Sequence, residues 1–404
     1  MQKFYTEPEK QIPIAYDCDV LVAGGGFAGI SAALSAARQG AKVLLCEKLF
    51  ILGGLATAGL VSIYLPLCDG EGKQVSFSIA EDLLKLSINK GADNVNSHAV
   101  PECWFKEASV EERAKKRYQV QFNPQYFAIA AEQLLIENGV RILYGTSICD
   151  VSVNDEKIDY VIIENKSGRE AVSVKSVVDC TGDSDLFKLA GSKTMLHHKG
   201  NILAAWYYKA ENGKYLLKML GFADVPESFG KAEKPIKNMR YTGVDAKELS
   251  QMTIDSHTAV LEDYLKHGEF SDDRMLATIA TTPQVRMTRK IVGEYTLDYT
   301  EQHKEFYDSI GMVSDWRKAG PVFEIPFRTL YSKAVKNLIT AGRSISVTDD
   351  MWDVSRVIPD CAVTGEAAGA AAAMSDDFEN LDIEKLQTLL VNRGVKLHEK
   401  DMNI

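Results

Sequence analysis

Three glycines spaced Gly24-x-Gly26-x-x-Gly29, within DVLVAGGGFAGISAALSAA (residues 19–37), carry with Glu47 the strongest chemical signal in the chain. At a strand-to-helix turn the first glycine permits a tight bend. The second lets backbone amides approach a pyrophosphate, and the third lets helix and strand pack closely. Phe27 and Ala28 lie inside the same fan of amides, and the helix that follows aims the positive end of its dipole at the phosphates. Glu47 closes the run AKVLLCEK about twenty residues further on, with Lys48 beside it, where a carboxylate can hold both hydroxyls of a ribose. The next segment, LFILGGLATAG, supplies Gly53, Gly54, Leu55 and Ala56, a stretch able to run against the ribityl and phosphate region. A nicotinamide domain would proceed instead to another βα unit, so the pattern points to FAD rather than NAD.

Redox chemistry on a flavin leaves the protein two tasks, orienting a C–H bond and managing one proton. His197 and His198 are the candidates for the proton, with exposed loop histidines as the bland alternative. Tyr331 and Tyr295 are weaker candidates, because tyrosines at element ends usually just pack. Arg286 and Arg289, three apart in VRMTRK, would share one face of a helix. Arg328 in IPFRTL, Arg343 and Arg356 extend the cationic set. Arginine forks match carboxylates, so the set suits an anionic small-molecule substrate; each could equally pair with Glu294, Asp349, Asp350 or Asp353. Arg343, by its place after a strand, is assigned to the cofactor.

The elements that must position these residues are readable in outline. DVLVAGGGFAGISAALSAA has the apolarity of a membrane span or a signal sequence, yet three consecutive glycines suit a spanning helix poorly, and acidic residues precede it. It divides into a buried strand (DVLVA), a turn, and a helix closed by Gly40 at the C′ position. RILYGTSICDVSVNDEKIDYVIIENKSGREAVSVKSVVDCTGDSD reads as short strands joined at NDEK and NKSG. Ile148 lies on this segment, and a final apolar strand ends at Thr181-Gly182-Asp183. NLITAGR is a buried strand ending at Gly342. PDCAVTGEAAGAAAA is an alanine-rich helix with Ile358 before it and Pro359 at its first position. NPQYFAIAAEQLLIENGV is a helix capped by Asn123, SFSIAEDLLKLSINKG an amphipathic helix, and IEKLQTLLVNRGVKLHEK a further one packed on the exterior.

These motifs together resemble the FAD-dependent oxidoreductase family, whose flavin domain is similar to that of succinate dehydrogenase and fumarate reductase flavoproteins. The matching stretches are DVLVAGGGFAGISAA, LGGLATAGLV, VVDCTGDSD, VRMTRKIVGEYTL, IPFRTL and NLITAGRSISVTDDMWDVSRVIPDCAVTGEAAGAAAA. A meander feeding a strand that ends in T-G-D is typical of FAD folds related to glutathione reductase. The resemblance implies a Rossmann-like α/β fold with a central parallel sheet and a β-meander, plus an inserted α+β cap. It also implies that the N-terminus of the alanine-rich helix faces the flavin N1–O2 edge, where its dipole favours the anionic reduced ring. Met287 departs from the family pattern, which often has Glu there. No histidine follows Gly53–Gly54 in LATAGLVSIY, the place where fumarate reductase relatives attach flavin covalently, so the expected FAD is non-covalent.

A chain of 404 residues exceeds what one core sustains. The expected organisation is a discontinuous FAD-binding domain (17–75, 120–195 and 335–375), a substrate or cap domain (196–330), a helical and irregular insertion (76–119) whose residues 92–118 could lie over the active site, and a C-terminal helix within 380–404. A net charge of -10 argues against a nucleic-acid partner. Seven scattered cysteines without C-x-x-C or metal-ligand spacing give no metal site and favour a reducing cytoplasm. No membrane partner is expected, and oligomeric state is unreadable. The leading expectation is hydride transfer between FAD and a small organic substrate. Its rivals are a flavin enzyme without net redox, an isomerase or hydratase, and a flavin-free binding module of the same architecture.

Overall fold

The computed structural model describes residues 3–88, 100–221, 236–266, 268 and 270–402. The chain enters through β1 (Ile14–Ala23), turns into α1 (Phe27–Ala37) and returns as β2 (Val43–Cys46). A short pair, β3 (Ile63–Tyr64) and β4 (Val120–Gln121), encloses α2 (Ile79–Ile88) and α3 (Val110–Ala114). Then α4 (Pro124–Glu137) leads to β5 (Arg141–Leu143), β6 (Ser147–Asn154), β7 (Lys157–Asn165) and β8 (Gly168–Asp179). Beyond α5 (Asp185–Leu189) come β9 (Thr194–Leu196), β10 (Tyr207–Glu211), β11 (Lys214–Lys218), α6 (Ala246–Lys266), β12 (Arg274–Ile279) and β13 (Arg289–Ile291). The hairpin β14 (Ser309–Ser314) and β15 (Val322–Pro326) precedes β16 (Leu338–Thr340), α7 (Asp349–Ser355), α8 (Ile358–Met374) and α9 (Ile383–Asn392).

The fold is mixed α/β around a sheet ordered β5-β2-β1-β8-β7-β6, with β16 also paired to β8. β5, β2, β1, β8 and β16 run parallel, and β6, β7 and β8 form an antiparallel meander. The uninterrupted apolar run of β1 follows from burial on both faces. Val20 and Val22 pack toward α1 and α8, while Leu21 and Ala23 pack against the meander and α5. The sequence suggests separate meander and apolar strands before Thr181; they are one strand of twelve residues. Its first half pairs with β7 and its last three residues with β16, so half-exposed and fully buried patterns adjoin without a break.

α1 and α8 lie side by side and parallel, because Ser31, Ser35 and Gln39 donate in step to the carbonyls of Ala362, Glu366 and Ala370. Small residues make that approach possible: a Cβ on Gly369 would sit 2.1 Å from the Ala32 carbonyl oxygen. α1 closes as the sequence predicts. Gly40 adopts φ +83°, its N–H donates to Ala37 O at 2.8 Å, and Ala41 N reaches Ala36 O at 3.4 Å. Asn123 caps α4 through bonds from Gln125 N and Tyr126 N.

Three local expectations need correction. Arg286 and Arg289 do not share a helix face, because Arg289–Ile291 is a strand paired with β9 and Arg286 precedes it outside any helix or strand. Pro359 stands second in α8, after Ile358. Within 92–118, residues 100–118 are not merely irregular, since they hold α3 and a turn of 3-10 helix at Glu102–Trp104. Residues 92–99 lie outside the described residues, as do 222–235 of the expected cap region. Among what is described of that region, β11-β10-β12 forms a sheet on which α6 packs through Val260 and Tyr264.

Candidate functional site

The carboxyl ends of β1, β2, β8 and β16 open on a cleft of about 380 Å³. At its floor, Gly24 adopts φ +100° and a Cβ there would lie 2.5 Å from Cys180 O. Gly29 does not line the cleft; its Cβ would fall 1.8 Å from Gly24 O, so it acts by letting the helix sit close. Gly26, the N-cap of α1, is different. No atom lies within 4 Å of where its Cβ would be, no side chain caps the helix, and no acid occupies its first turn. Open space at the positive end of an uncapped helix is the arrangement an anionic phosphate requires.

Glu47 directly follows β2 at 5 % exposure, on the cleft wall. Its Oε2 accepts from Gly25 N at 2.6 Å and its Oε1 from Leu49 N at 2.7 Å. Each oxygen keeps acceptor capacity for a hydroxyl. The Gly53–Gly54 segment is laced to the glycine turn by Gly53 N donating to Gly25 O at 2.7 Å, and both glycines adopt positive φ. Leu55 and Ala56 carry the wall onward.

At the end of β8, buried Asp179 accepts from Thr181 N, Thr181 Oγ1 and Leu186 N at 2.7–3.1 Å and so shapes the Thr181-Gly182-Asp183 turn. Burial pushes its carboxyl up to about 6. Arg343 follows β16 and lines the cleft, and three of its donors are taken by protein: Nε by Gly182 O at 2.6 Å, Nη1 by Val285 O at 3.0 Å and Nη2 by Asp183 Oδ1 at 2.9 Å. It braces three segments against one another.

The cleft gathers nearly all the residues assigned from sequence to the cofactor: Gly24, Gly26, Phe27, Ala28, Glu47, Lys48, Gly53, Gly54, Leu55, Ala56, Ile148, Thr181, Gly182, Asp183, Gly342, Arg343 and Ile358. Gly29 and Pro359 stand behind it. Lining residues that sequence reasoning missed include Thr146 and Ser147, adjoining Ile148, and Gly243, Leu249, Thr282, Pro283 and Val285 from the expected cap region. Only the Thr-Pro turn at 282–283 carries any local signal; the others have no motif of their own.

Apart from Arg356, the candidates for moving a proton or binding substrate are not brought to this lining. His197 is buried edge-on against Trp352 and lies 3.6 Å from Asp349, while His198 is largely exposed and bonds the same carboxylate. His197, His198 and Asp349 are close enough together to suggest a metal site. The Lys290 ammonium holds the other carboxylate oxygen, Asp349 Oδ1, at 2.7 Å and so already supplies this acid with a positive partner. Arg328 forks onto Asp308 at 2.8 and 3.2 Å between Tyr295 and Tyr307, and Tyr331 packs on Phe327. Arg289 holds Asp183 O and Asp185. Arg286 is buried over Trp206, and Arg356, which does line the cleft, is bonded to Asp353.

A glycine turn with an uncapped helix behind it, a buried acid on the next strand and a second glycine pair laid across the turn define a Rossmann-like dinucleotide-binding protein of the flavoprotein type. The chain belongs to the FAD dependent oxidoreductase family, whose sequence profile matches residues 19–205 and 204–390. It is 36% identical over 85 residues to the fumarate reductase (cytochrome) of Shewanella frigidimarina, covering 20% of this chain and 14% of that protein. Among solved structures, a geranylgeranyl bacteriochlorophyll reductase-like protein from Thermoplasma acidophilum aligns over 94% of this chain and 84% of its own, at 16% identity and a TM-score of 0.47. The 3-ketosteroid-delta4-(5alpha)-dehydrogenase of Rhodococcus jostii RHA1 aligns over 90% and 98%, at 14% identity and a TM-score of 0.41. Among the described residues no helix is long and apolar enough to cross a membrane.

Proposed function

We propose that the protein transfers a hydride between a small organic substrate and a non-covalently held FAD. The observation that carries this reading is the pairing of open space at Gly26 with the buried Glu47 carboxylate, on one wall of one cleft. In it, the first-turn amides of α1 hold the pyrophosphate and Glu47 the adenosine ribose. Ala56 and Ile358 lie along the stretch where the ring is held. α8 has no side-chain cap, so its amide end can stabilise negative charge on the flavin edge. The bound flavin supplies the hydride chemistry; the chain binds, orients and excludes water. Residues 196–330 serve as the cap, a role supported by the five side chains and glycines they contribute to the lining. The absence of a histidine after Gly53–Gly54 supports non-covalent attachment, and unpaired cysteines throughout the described chain support a reducing, cytoplasmic setting.

The test is spectroscopic. The purified protein, supplemented with FAD, is expected to show visible flavin absorbance that bleaches on anaerobic mixing with substrate. Acid precipitation with trichloroacetic acid should leave the yellow chromophore in solution; colour in the pellet would refute non-covalent binding. Product formed without bleaching would favour the isomerase or hydratase reading, and absence of any flavin would favour the binding module.

A further inference from the structure

One guanidinium beside the cleft has an unused donor. Arg286 is 6 % exposed, its Cζ lies 5.3 Å from the centre of the Trp206 ring, and its Nη1 finds no hydrogen-bond partner among the described residues. Its backbone is fixed: Asn201 Oδ1 accepts from Arg286 N at 2.8 Å and Met287 N at 3.0 Å, while Asn201 Nδ2 donates to Met287 O at 2.6 Å. The side chain is therefore delivered to this place by a clamp rather than left there by a loose loop. Val285, the preceding residue, lines the cleft, as do Arg343 and Arg356. Burial, with the charges of Arg356 and Arg343 adding to it and that of Asp353 opposing, pushes the Arg286 guanidinium down to about 9.

A buried cation without a counter-ion is unfavourable, and arginine resists escaping by losing its proton. Its neighbours have resolved the same problem with carboxylates. Arg343 holds Asp183, Arg356 holds Asp353, and Arg317 holds Asp315 with a second contact to Asp353. Asp360, the remaining acid nearby, is pushed well above its ordinary range by burial, toward the neutral form, and its Oδ2 finds no partner among the described residues. Asp353 is the one carboxylate whose charge supports Arg286, and it is already bonded to Arg356 and Arg317, so among the described residues the local balance leaves one positive charge without a carboxylate of its own, at Arg286. A monoanionic carboxylate matches that balance; a phosphate dianion would overfill it. The Trp206 ring beneath the guanidinium supplies an apolar wall suited to the organic part of such an acid.

We propose that Arg286, seated on Trp206 and clamped by Asn201, binds a carboxylate of the substrate, so that the flavin reaction takes place on a small organic acid. This rests on the oxidoreductase reading above and names its substrate class.

The test is binding rather than turnover. FAD-loaded protein is titrated with propionate and benzoate, and in parallel with propionamide and benzamide, following the visible flavin spectrum. The acids are expected to perturb the spectrum saturably and the neutral amides not at all. Arg286→Gln should raise the acids' dissociation constants roughly 10–100-fold, the loss expected for a charged hydrogen-bonded contact, with Arg286→Lys recovering part of it. Amides binding as well as acids would overturn the proposal without any variant being needed. So would acids binding Arg286→Gln as tightly as wild type, or inorganic phosphate binding more tightly than either acid. If the protein carries no flavin, calorimetry with the same probes separates the two failures. Acid binding that depends on Arg286 would then uphold this site while the oxidoreductase reading falls; no heat of binding would sink the site as well.

Discussion

Glu47 has two duties that a single substitution can separate. Its oxygens accept from Gly25 N and Leu49 N, which fixes the glycine turn, and in the proposed complex they also accept from a ribose. A carboxylate offers about four acceptor positions, enough for both. Glutamine at this place keeps one acceptor oxygen and turns an NH2 toward one of those donors. Glu47→Gln is therefore expected to raise the FAD dissociation constant roughly 10–100-fold, because hydrogen bonds to a charged acceptor are the stronger kind. Titration of flavin fluorescence measures it. An unchanged constant would mean that the carboxylate serves the loop alone. Gly24 and Gly29 show why this part of the site was readable in sequence, since a Cβ at either would collide with neighbouring backbone, and residue type is what a sequence reports. Arg286 marks the opposite case. Nothing in VRMTRK distinguishes Arg286, whose Nη1 finds no partner among the described residues, from Arg289, which bonds Asp183 O and Asp185. That difference lies in distant partners.

The helix pair α1 and α8 holds both N-termini at the same end of the sheet, and Glu366 ties a third helix to it. The Glu366 carboxyl, 1 % exposed, accepts from Ser78 Oγ at 2.8 Å and Ile79 N at 3.1 Å, at the start of α2. Burial outweighs these bonds and raises its pKa to about 7. An acid raised in the native state binds a proton more readily folded than unfolded. Its effect on stability is therefore most favourable at low pH and is lost as pH rises from about 4.3, the unfolded value, through 7. Glu366→Gln, neutral at every pH and still able to accept from Ile79 N, should flatten this contribution. Urea unfolding of both proteins at pH 5.5 and pH 8, as trial conditions bracketing about 7, is expected to show the variant gaining relative to wild type at the higher pH. An equal difference at both conditions would show that Glu366 keeps its charge when buried. Elements whose ends carry their own chemistry, such as α1 with Gly40 and α4 with Asn123, were legible in sequence. The VRMTRK segment was not, because the strand at its end is imposed by pairing with β9, about ninety residues away in a topology of long crossovers, against a spacing that suits a helix equally well.

At the scale of the whole molecule the cleft belongs to no single stretch of chain. Its floor comes from β1, β2 and β8, its far wall from residues 341–361, and its cover from 243–285. The cover is tied down by Thr281 N donating to Ala58 O at 2.8 Å and by Arg343 Nη1 donating to Val285 O at 3.0 Å. The cover residues escaped the sequence reading for this reason, since Gly243 and Leu249 come to line the same cleft as the glycine turn only once all the strands are in place. A ligand that touches every wall stabilises them jointly. With free FAD at a hundred times its dissociation constant, stability should rise by about 2.7 kcal/mol, and in Glu47→Gln, if binding weakens a hundredfold, the same concentration should add only about 0.4 kcal/mol. Hydrogen exchange locates that gain. Peptides spanning 243–249 and 282–285 are expected to slow on FAD addition together with those spanning 24–29. Protection confined to 24–29 would mean that the cover stands apart from the cofactor. The water exclusion on which the proposed hydride transfer depends would then have to come from elsewhere in the chain.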